Sequence, residues 1–339
     1  MTNKLLILNK VFTHVKRLSK RRDWLFDIFG MISRKISNRW IKWLNFSGSH
    51  TFIDRSKGQE RLLIVLAGYK SFIWPLTLAR LAKFVPADMD VCIVSSGLYS
   101  ASLAELATSS SWSYLYTKDN KVALGQNLAI ARHTKAHWIY KLDEDIFISE
   151  KFFELLLEGY LRIKEEGFYN PGFCAPLINI NGYSYISFLK IMNADDEYKA
   201  KFNELKHAAN GVKAFSDGEA AKWLWDKSLP FDDVAQYVAS QPFSYSTVPH
   251  RFSIGAILFE RELWELIGGF RVTLTEGGLG IDEEYFCKEC IARSRVMLVI
   301  QNTFAGHFAF WTQTDSMKDY LPEIYSQLSL KESEMVKSC

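Results

Sequence analysis

From residue 61 onward, short apolar runs alternate with stretches in which apolar positions recur every three or four residues. Residues 62–66, 91–94, 112–116 and 138–142 have the length and the β-branched or aromatic content of buried strands. Between them, residues 75–84, 103–107 and 122–134 carry the helical period, and Ser95-Ser96-Gly97 closes the second strand. Further on, 285–292 and 320–330 predict helices and 296–300 a strand. Strand–helix–strand units at this spacing predict an α/β fold: a mostly parallel sheet with helices on both faces. In such sheets ligands gather beyond the carboxyl ends of the strands.

The first 45 residues follow a different pattern. Leu25, Phe29, Ile32, Ile36, Trp40 and Trp43 fall at helical spacing, with Asp23 placed to cap the helix. Eleven Lys and Arg against two acids give residues 1–42 a charge of +9, so that residues 43–339 sum to −6 within a net +3. A basic amphipathic helix with tryptophans at its edges suits the surface of an anionic bilayer, although the same stripe could pack on the protein's own body. No recognisable nucleic-acid module accompanies the basic residues, so no nucleic-acid partner is expected. Residues 46–60, rich in Ser, Gly and His, read as a linker.

Composition narrows the class. A chain that is 48% hydrophobic and 23% charged has the apolar content for a sizeable core, which excludes general disorder. No apolar run approaches the ~20 residues of a membrane span, and the apolar stretch 5–8 is too short for a secretory signal. Five irregularly spaced cysteines suit a reducing compartment. The expected location is the cytoplasm, peripheral at the cytoplasmic face of the inner membrane if the basic segment binds there. Cys287 and Cys290 are read as packed helix cysteines and not as a zinc or redox pair.

Candidate chemistry begins where the fourth strand runs into Asp143-Glu144-Asp145. In extended backbone, residues i and i+2 face the same way, so Asp143 and Asp145 would present two carboxylates on one side while Glu144 turns away. Hard oxygen ligands of this kind suit Mg²⁺ or Mn²⁺ bridging a diphosphate, though an acidic turn after a strand is also common. A second acidic cluster, Asp282-Glu283-Glu284, follows a glycine-rich stretch and opens a helix, where acids also serve as simple caps. His307 lies after a glycine beyond the 296–300 strand. It could be a structural hydrogen-bonding residue or a third, imidazole ligand that would favour Mn²⁺.

The order of these features resembles the nucleotide-binding half of GT-A glycosyltransferases, closest to the large inverting family 2. The resemblance rests on Gly125-Gln126-Asn127 through Arg132, then Trp138 through Asp143-Glu144-Asp145. In the second half it rests on Ser253-Ile254-Gly255-Ala256, the stretch from Phe259 to Gly268-Gly269-Phe270, Asp282-Glu283 and His307. It implies that Asp145 binds the metal with His307, and that Asp143 faces the ribose and diphosphate and shares in metal binding. Ser253 to Ala256 would line the acceptor side. Asp282 would be the catalytic base with Glu283 as the rival, because the family's acidic pair can be laid on this chain in two registers. By the same likeness Ala67, Tyr69, Lys70, Ser95, Ser96, Asn127, Glu144 and Gly255 would line the donor site. Two departures stand out: Ala67-Gly68-Tyr69-Lys70 follows the first strand where the family often has Pro-X-Tyr-Asn, and Ser95-Ser96 stands where an aspartate commonly reads the base.

The implied organisation is an N-terminal basic segment and linker (1–58), a GT-A domain (59–312) and a C-terminal helix and tail (313–339). Within the domain, 59–150 would bind the nucleotide sugar, 151–249 would be an insertion with mostly core aromatics, and 250–312 would form the acceptor half. The implied activity is transfer of a sugar from a nucleotide diphosphate, UDP by default, to an acceptor hydroxyl with inversion. The acceptor would be a glycan or lipid-linked glycan, as in bacterial surface-glycan synthesis. A nucleotidyltransferase and a non-catalytic membrane-bound scaffold are the alternatives.

Overall fold

The computed structural model describes residues 41, 43–273 and 280–330. The chain divides after Ser47 into two compact units. Of the first, residues 41 and 43–46 are helical; the rest of the basic stripe, and with it the expected membrane contact, lies outside the described residues. Among the described residues no helix is long and apolar enough to cross a membrane.

The second unit is built on a ten-stranded sheet: β1 His50–Ile53, β2 Arg61–Leu66, β3 Met89–Ser96, β4 Ser113–Thr117, β5 Trp138–Asp143, β6 Ile146–Phe147, β7 Pro171–Ile178, β8 Tyr245–Thr247, β9 Ala256–Glu260 and β10 Val296–His307. The spatial order is β1-β4-β3-β2-β5-β9-β7-β10-β6, with β8 also on β10. β2, β3, β4 and β5 run parallel; β9 reverses, and β7 and β10 resume the first direction. The fold is therefore mixed α/β, as the alternation of apolar runs and helical stretches predicts. Its core is the sheet interior, where Leu62 to Val65 and Ile257 to Phe259 have no exposed surface.

Three sequence expectations need correction. The linker 46–60 contains β1, an edge strand that pairs antiparallel with β4 from His50↔Thr117 to Ile53↔Tyr114. Its alternating burial, with one face half-covered, hides it among polar residues. The stretch 151–249 supplies β7, a wholly buried strand between β9 and β10, so it contributes to the central sheet as well as a set of helices. Two prolines in Pro171-Gly-Phe-Cys-Ala-Pro-Leu-Ile conceal its strand character. Finally, the backbone is not extended through Asp145: β5 ends at Asp143, Glu144 and Asp145 form a turn, and β6 leaves to pair with β10.

The chain steps outward from β2 to β3 and β4, then returns to the other side of β2 as β5. The segments that follow β2 and β5 consequently meet at one end of the sheet. Arg80, fully buried on helix Trp74–Phe84, ties this half to the rest. Its guanidinium holds both Asp232 oxygens at 2.7 and 2.9 Å and also donates to the carbonyls of Ile148 and Leu328.

Candidate active site

Six strands, β2, β3, β4, β5, β7 and β10, point their carboxyl ends the same way, and the residues with chemical potential follow them. Glu144 organises the centre. Its carboxylate accepts from the backbone N–H of Gly68 and of Tyr69, each at 3.0 Å, and from the Trp74 indole at 2.6 Å. Its own carbonyl accepts from the Thr77 hydroxyl at 2.7 Å. Burial raises its carboxyl pKa above the usual range, with those donors opposing. Glu144 was expected to line the donor site. Instead it fastens the segment after β2 to the turn after β5, its oxygens committed to protein donors.

Asp145 follows, 2% exposed. One carboxylate oxygen takes the Lys70 ammonium at 2.5 Å and lies 3.4 Å from His307 Nε2. Burial alone would push the carboxyl upward; Lys70 and then His307 reverse this and hold it well below the ordinary range. The imidazole is oriented by its other nitrogen, which lies 3.1 Å from the Ile180 carbonyl, and its backbone N–H donates to Asn179. Phe308 N–H bonds the Asp145 carbonyl, and the Trp225 indole donates to the carbonyls of His307 and Phe308.

Asp143 has different company. Lys141, two residues earlier on the same strand and 3% exposed, donates to its carboxylate at 2.7 Å and to the Ile254 carbonyl at 2.7 Å. Burial raises the Asp143 carboxyl; Lys141 opposes and Asp145 adds to the rise. The turn at Glu144–Asp145 thus gives the two aspartates separate cationic partners. Among the described residues no three His, Cys, Asp and Glu side chains gather as a metal-ligating set. The expected trio of Asp143, Asp145 and His307 reduces to one facing pair, Asp145 and His307.

The second acidic cluster reaches the same wall. Glu283 pairs with Arg251 at 2.5 Å and accepts from the Ile254 N–H at 3.2 Å. Burial raises its carboxyl, Arg251 opposes, and Asp282 adds to the rise. Asp282 accepts from the Gln126 side chain at 2.8 Å. Ile254 therefore has Glu283 on its N–H and Lys141 on its carbonyl, while the Gly255 carbonyl accepts from Asp143 N–H at 2.8 Å. Glycine suits this closeness: a Cβ at 255 would stand 3.3 Å from an Asp143 carboxylate oxygen, tighter than ordinary packing. Two adjacent peptides separate the clusters. The stretch 274–279 before Asp282, which includes most of the glycine-rich run, lies outside the described residues.

Among the other expected donor-site residues, Asn127, Ser95 and Ala67 are engaged within the fold. Asn127 is fully buried. Its amide donates to the Phe270 carbonyl at 2.8 Å, and its oxygen accepts from Phe270 N–H and the Trp264 indole. It locks the Gly268-Gly269-Phe270 turn, where Gly269 has φ +87° and a Cβ would lie 2.8 Å from the Asn127 oxygen. Ser95 is buried, donates to the Ala67 carbonyl at 2.8 Å and accepts from Tyr114, while Ala67 N–H bonds Val94. These contacts knit β2 to β3. Ser96 is buried with its hydroxyl unpaired, and Tyr69, 59% exposed, donates its phenol to the Ser96 carbonyl at 2.6 Å. Of the Cys-X-X-Cys, both sulfurs are buried and Cys287 bonds Phe252.

Sequence reasoning missed Lys141, Gln126 and Arg251. Lys141 was detectable: a lysine two positions before an aspartate in a buried strand shares its face. Arg251 and Gln126 lie 32 and 156 positions from their acidic partners, and nothing local marks them.

No family model matches the chain, and no curated protein does. Among solved structures, the chain is similar to a mannosyltransferase, PcManGT from Pyrobaculum calidifontis, in complex with GDP-mannose and Mn²⁺. The identity is 12% and the TM-score 0.43, over 84% of this chain and 69% of that one.

Proposed function

We propose that the chain is a metal-dependent glycosyltransferase that moves a sugar from a nucleoside diphosphate to an acceptor hydroxyl. The observation that carries this reading is the shared wall at Ile254–Gly255. Through it a cation-paired, diphosphate-suited cluster (Lys70, Lys141, Asp143, Asp145, His307) and a second acidic cluster (Asp282, Glu283) stand at one end of the sheet. Group transfer needs two such ends: one where charge leaves with the phosphates, the other where a proton leaves the nucleophile.

Asp145 and His307 are the residues that would hold Mn²⁺ or Mg²⁺, which supplies neutralisation of the leaving diphosphate. Lys70 and Lys141 add fixed positive charge beside it. Asp282 is the better base. Its carboxylate accepts from the neutral Gln126 amide, which can hold it toward an acceptor, whereas both Glu283 oxygens serve Arg251 and the Ile254 backbone. A single base with in-line attack inverts the anomeric centre. The uridine donor, the inverting outcome, the glycan or lipid-linked acceptor and a station at the cytoplasmic face of a membrane belong to this proposal and rest on the family resemblance and the basic N-terminal segment.

The test is nucleotide release from a panel of UDP-, GDP- and dTDP-sugars, with Mn²⁺ and with chelator, for wild type, Asp145→Ala and Asp282→Asn. The expected result is release from one donor, stopped by chelation and by Asp145→Ala. Acceptor-dependent release should fall about 10²–10⁴-fold in Asp282→Asn, the usual scale for loss of a general base. Silence across the whole panel, with no donor bound, would remove the transferase reading and favour a scaffold. Cleavage of a nucleoside triphosphate in its place would favour a nucleotidyltransferase.

A further inference from the structure

The Asp145 oxygen that faces His307 Nε2 is the same oxygen that holds the Lys70 ammonium. Lys70 Nζ also donates to the Ala309 carbonyl at 2.9 Å, two residues past His307, and the ammonium and the imidazole nitrogen approach the same Asp145 oxygen. Asp145 is 2% exposed, and a carboxylate so buried is costly without a positive partner. An ammonium and a divalent cation at that one oxygen repel each other, so the cation binds Asp145 less well while Lys70 holds it. Lys70 stands on the segment after β2 that Glu144 fastens by the two N–H groups just before it, while its own side chain retains 25% exposure. Its backbone is anchored, and its flexible four-carbon stem leaves the charged end free to swing.

We propose that Lys70 is a placeholder for the divalent cation. In the donor-free protein its ammonium neutralises Asp145; when the cation arrives with the nucleotide, the ammonium leaves Asp145 for the diphosphate. This rests on the transferase reading and deepens it, since it makes loading of metal and of nucleotide one coupled event. The cation displaces Lys70 poorly unless the phosphates offer the ammonium a new partner, and by reciprocity the nucleotide binds poorly unless the cation frees Lys70 to meet it.

The test is Mn²⁺ binding to the full chain, followed by the electron paramagnetic resonance signal of free Mn²⁺, with and without UDP or GDP. Wild type is expected to bind Mn²⁺ weakly alone and about tenfold or more tightly with the nucleotide. Lys70→Met, lacking the competing charge, should bind Mn²⁺ alone about tenfold more tightly than wild type and gain less from nucleotide than wild type does. Lys70→Gln keeps an N–H donor for Asp145 without the charge, and should behave as Lys70→Met even if the methionine variant folds poorly. Equal Mn²⁺ affinity in wild type and both variants would overturn the exchange, and so would no binding in any of them. Equal affinity together with wild-type sugar-nucleotide turnover would sink the placeholder and leave the transferase standing. Tightened Mn²⁺ binding with no nucleotide bound by any variant would support the cation exchange and sink the transferase.

Discussion

Glu283 and Asp282 are neighbours in sequence with opposite situations. Glu283 is largely buried against Arg251, its carboxyl raised by burial and pulled back by the guanidinium; Asp282 rests against a neutral amide. Arg251→Met removes the compensation and leaves Glu283 a buried acid. Such a group, raised above its unfolded value, takes up a proton more readily in the folded state. Stability is therefore lost as pH rises from the ordinary carboxylate range through the folded value. Arg251 is partly exposed, so the cost near neutral pH should be about 1–2 kcal/mol, less than for a fully buried pair. Urea unfolding at pH 5 and pH 8 should show a clearly larger deficit at pH 8; an equal deficit at both would contradict this account of Glu283. Single residues also show what a sequence hides. Residue type and order alone mark Asp143, Asp145, Asp282 and His307 as candidates. They do not show that Asn127, Ser95 and Glu144 are consumed by the protein's own backbone, because their partners come from distant segments.

Among elements, the turn that separates β5 from β6 does the most for the site. A straight strand would set Asp143 and Asp145 side by side; the turn sends Asp145 toward β10 and leaves Asp143 with Lys141. The helices and parallel strands of residues 61–143 were readable because each buries a continuous apolar run or face. β1, β7 and the later half of β10 were not: β1 is half-polar, β7 holds two prolines, and β10 runs on through Gln301-Asn302-Thr303 across an irregularity between Ile300 and Phe304 in its pairing with β7. The backbone of the segment after β2 is held to this turn by the Glu144 carboxylate, through the Gly68 and Tyr69 N–H groups. Glu144→Ala therefore leaves the Gly68 and Tyr69 N–H groups and the Trp74 indole without their acceptor. The expected outcome is a KM for the nucleotide sugar raised about tenfold, with faster amide exchange at Gly68 and Tyr69. Unchanged exchange and KM would mean that Lys70 is positioned without this clamp.

For the second unit as a whole, the separation in sequence between the two clusters, from 143 to 282, is closed by β9 lying between β5 and β7. Its preceding residues, 251–255, form the wall that both clusters grip. Arg80 closes the other side by joining helix Trp74–Phe84 to helices Phe231–Ala239 and Thr314–Leu328. The central claim is that a divalent ion seats between Asp145 and His307 with the donor's phosphates beside Lys70, at the end of the sheet where the Asp282–Glu283 cluster also stands. Diffraction from crystals soaked in Mn²⁺ and UDP, collected at the manganese edge, measures this directly. The account predicts one anomalous peak within bonding distance of Asp145 and His307 Nε2, with Lys70 moved onto the diphosphate. A manganese peak at any other carboxylate, or a nucleotide seated away from the carboxyl ends of β2 and β5, would contradict it.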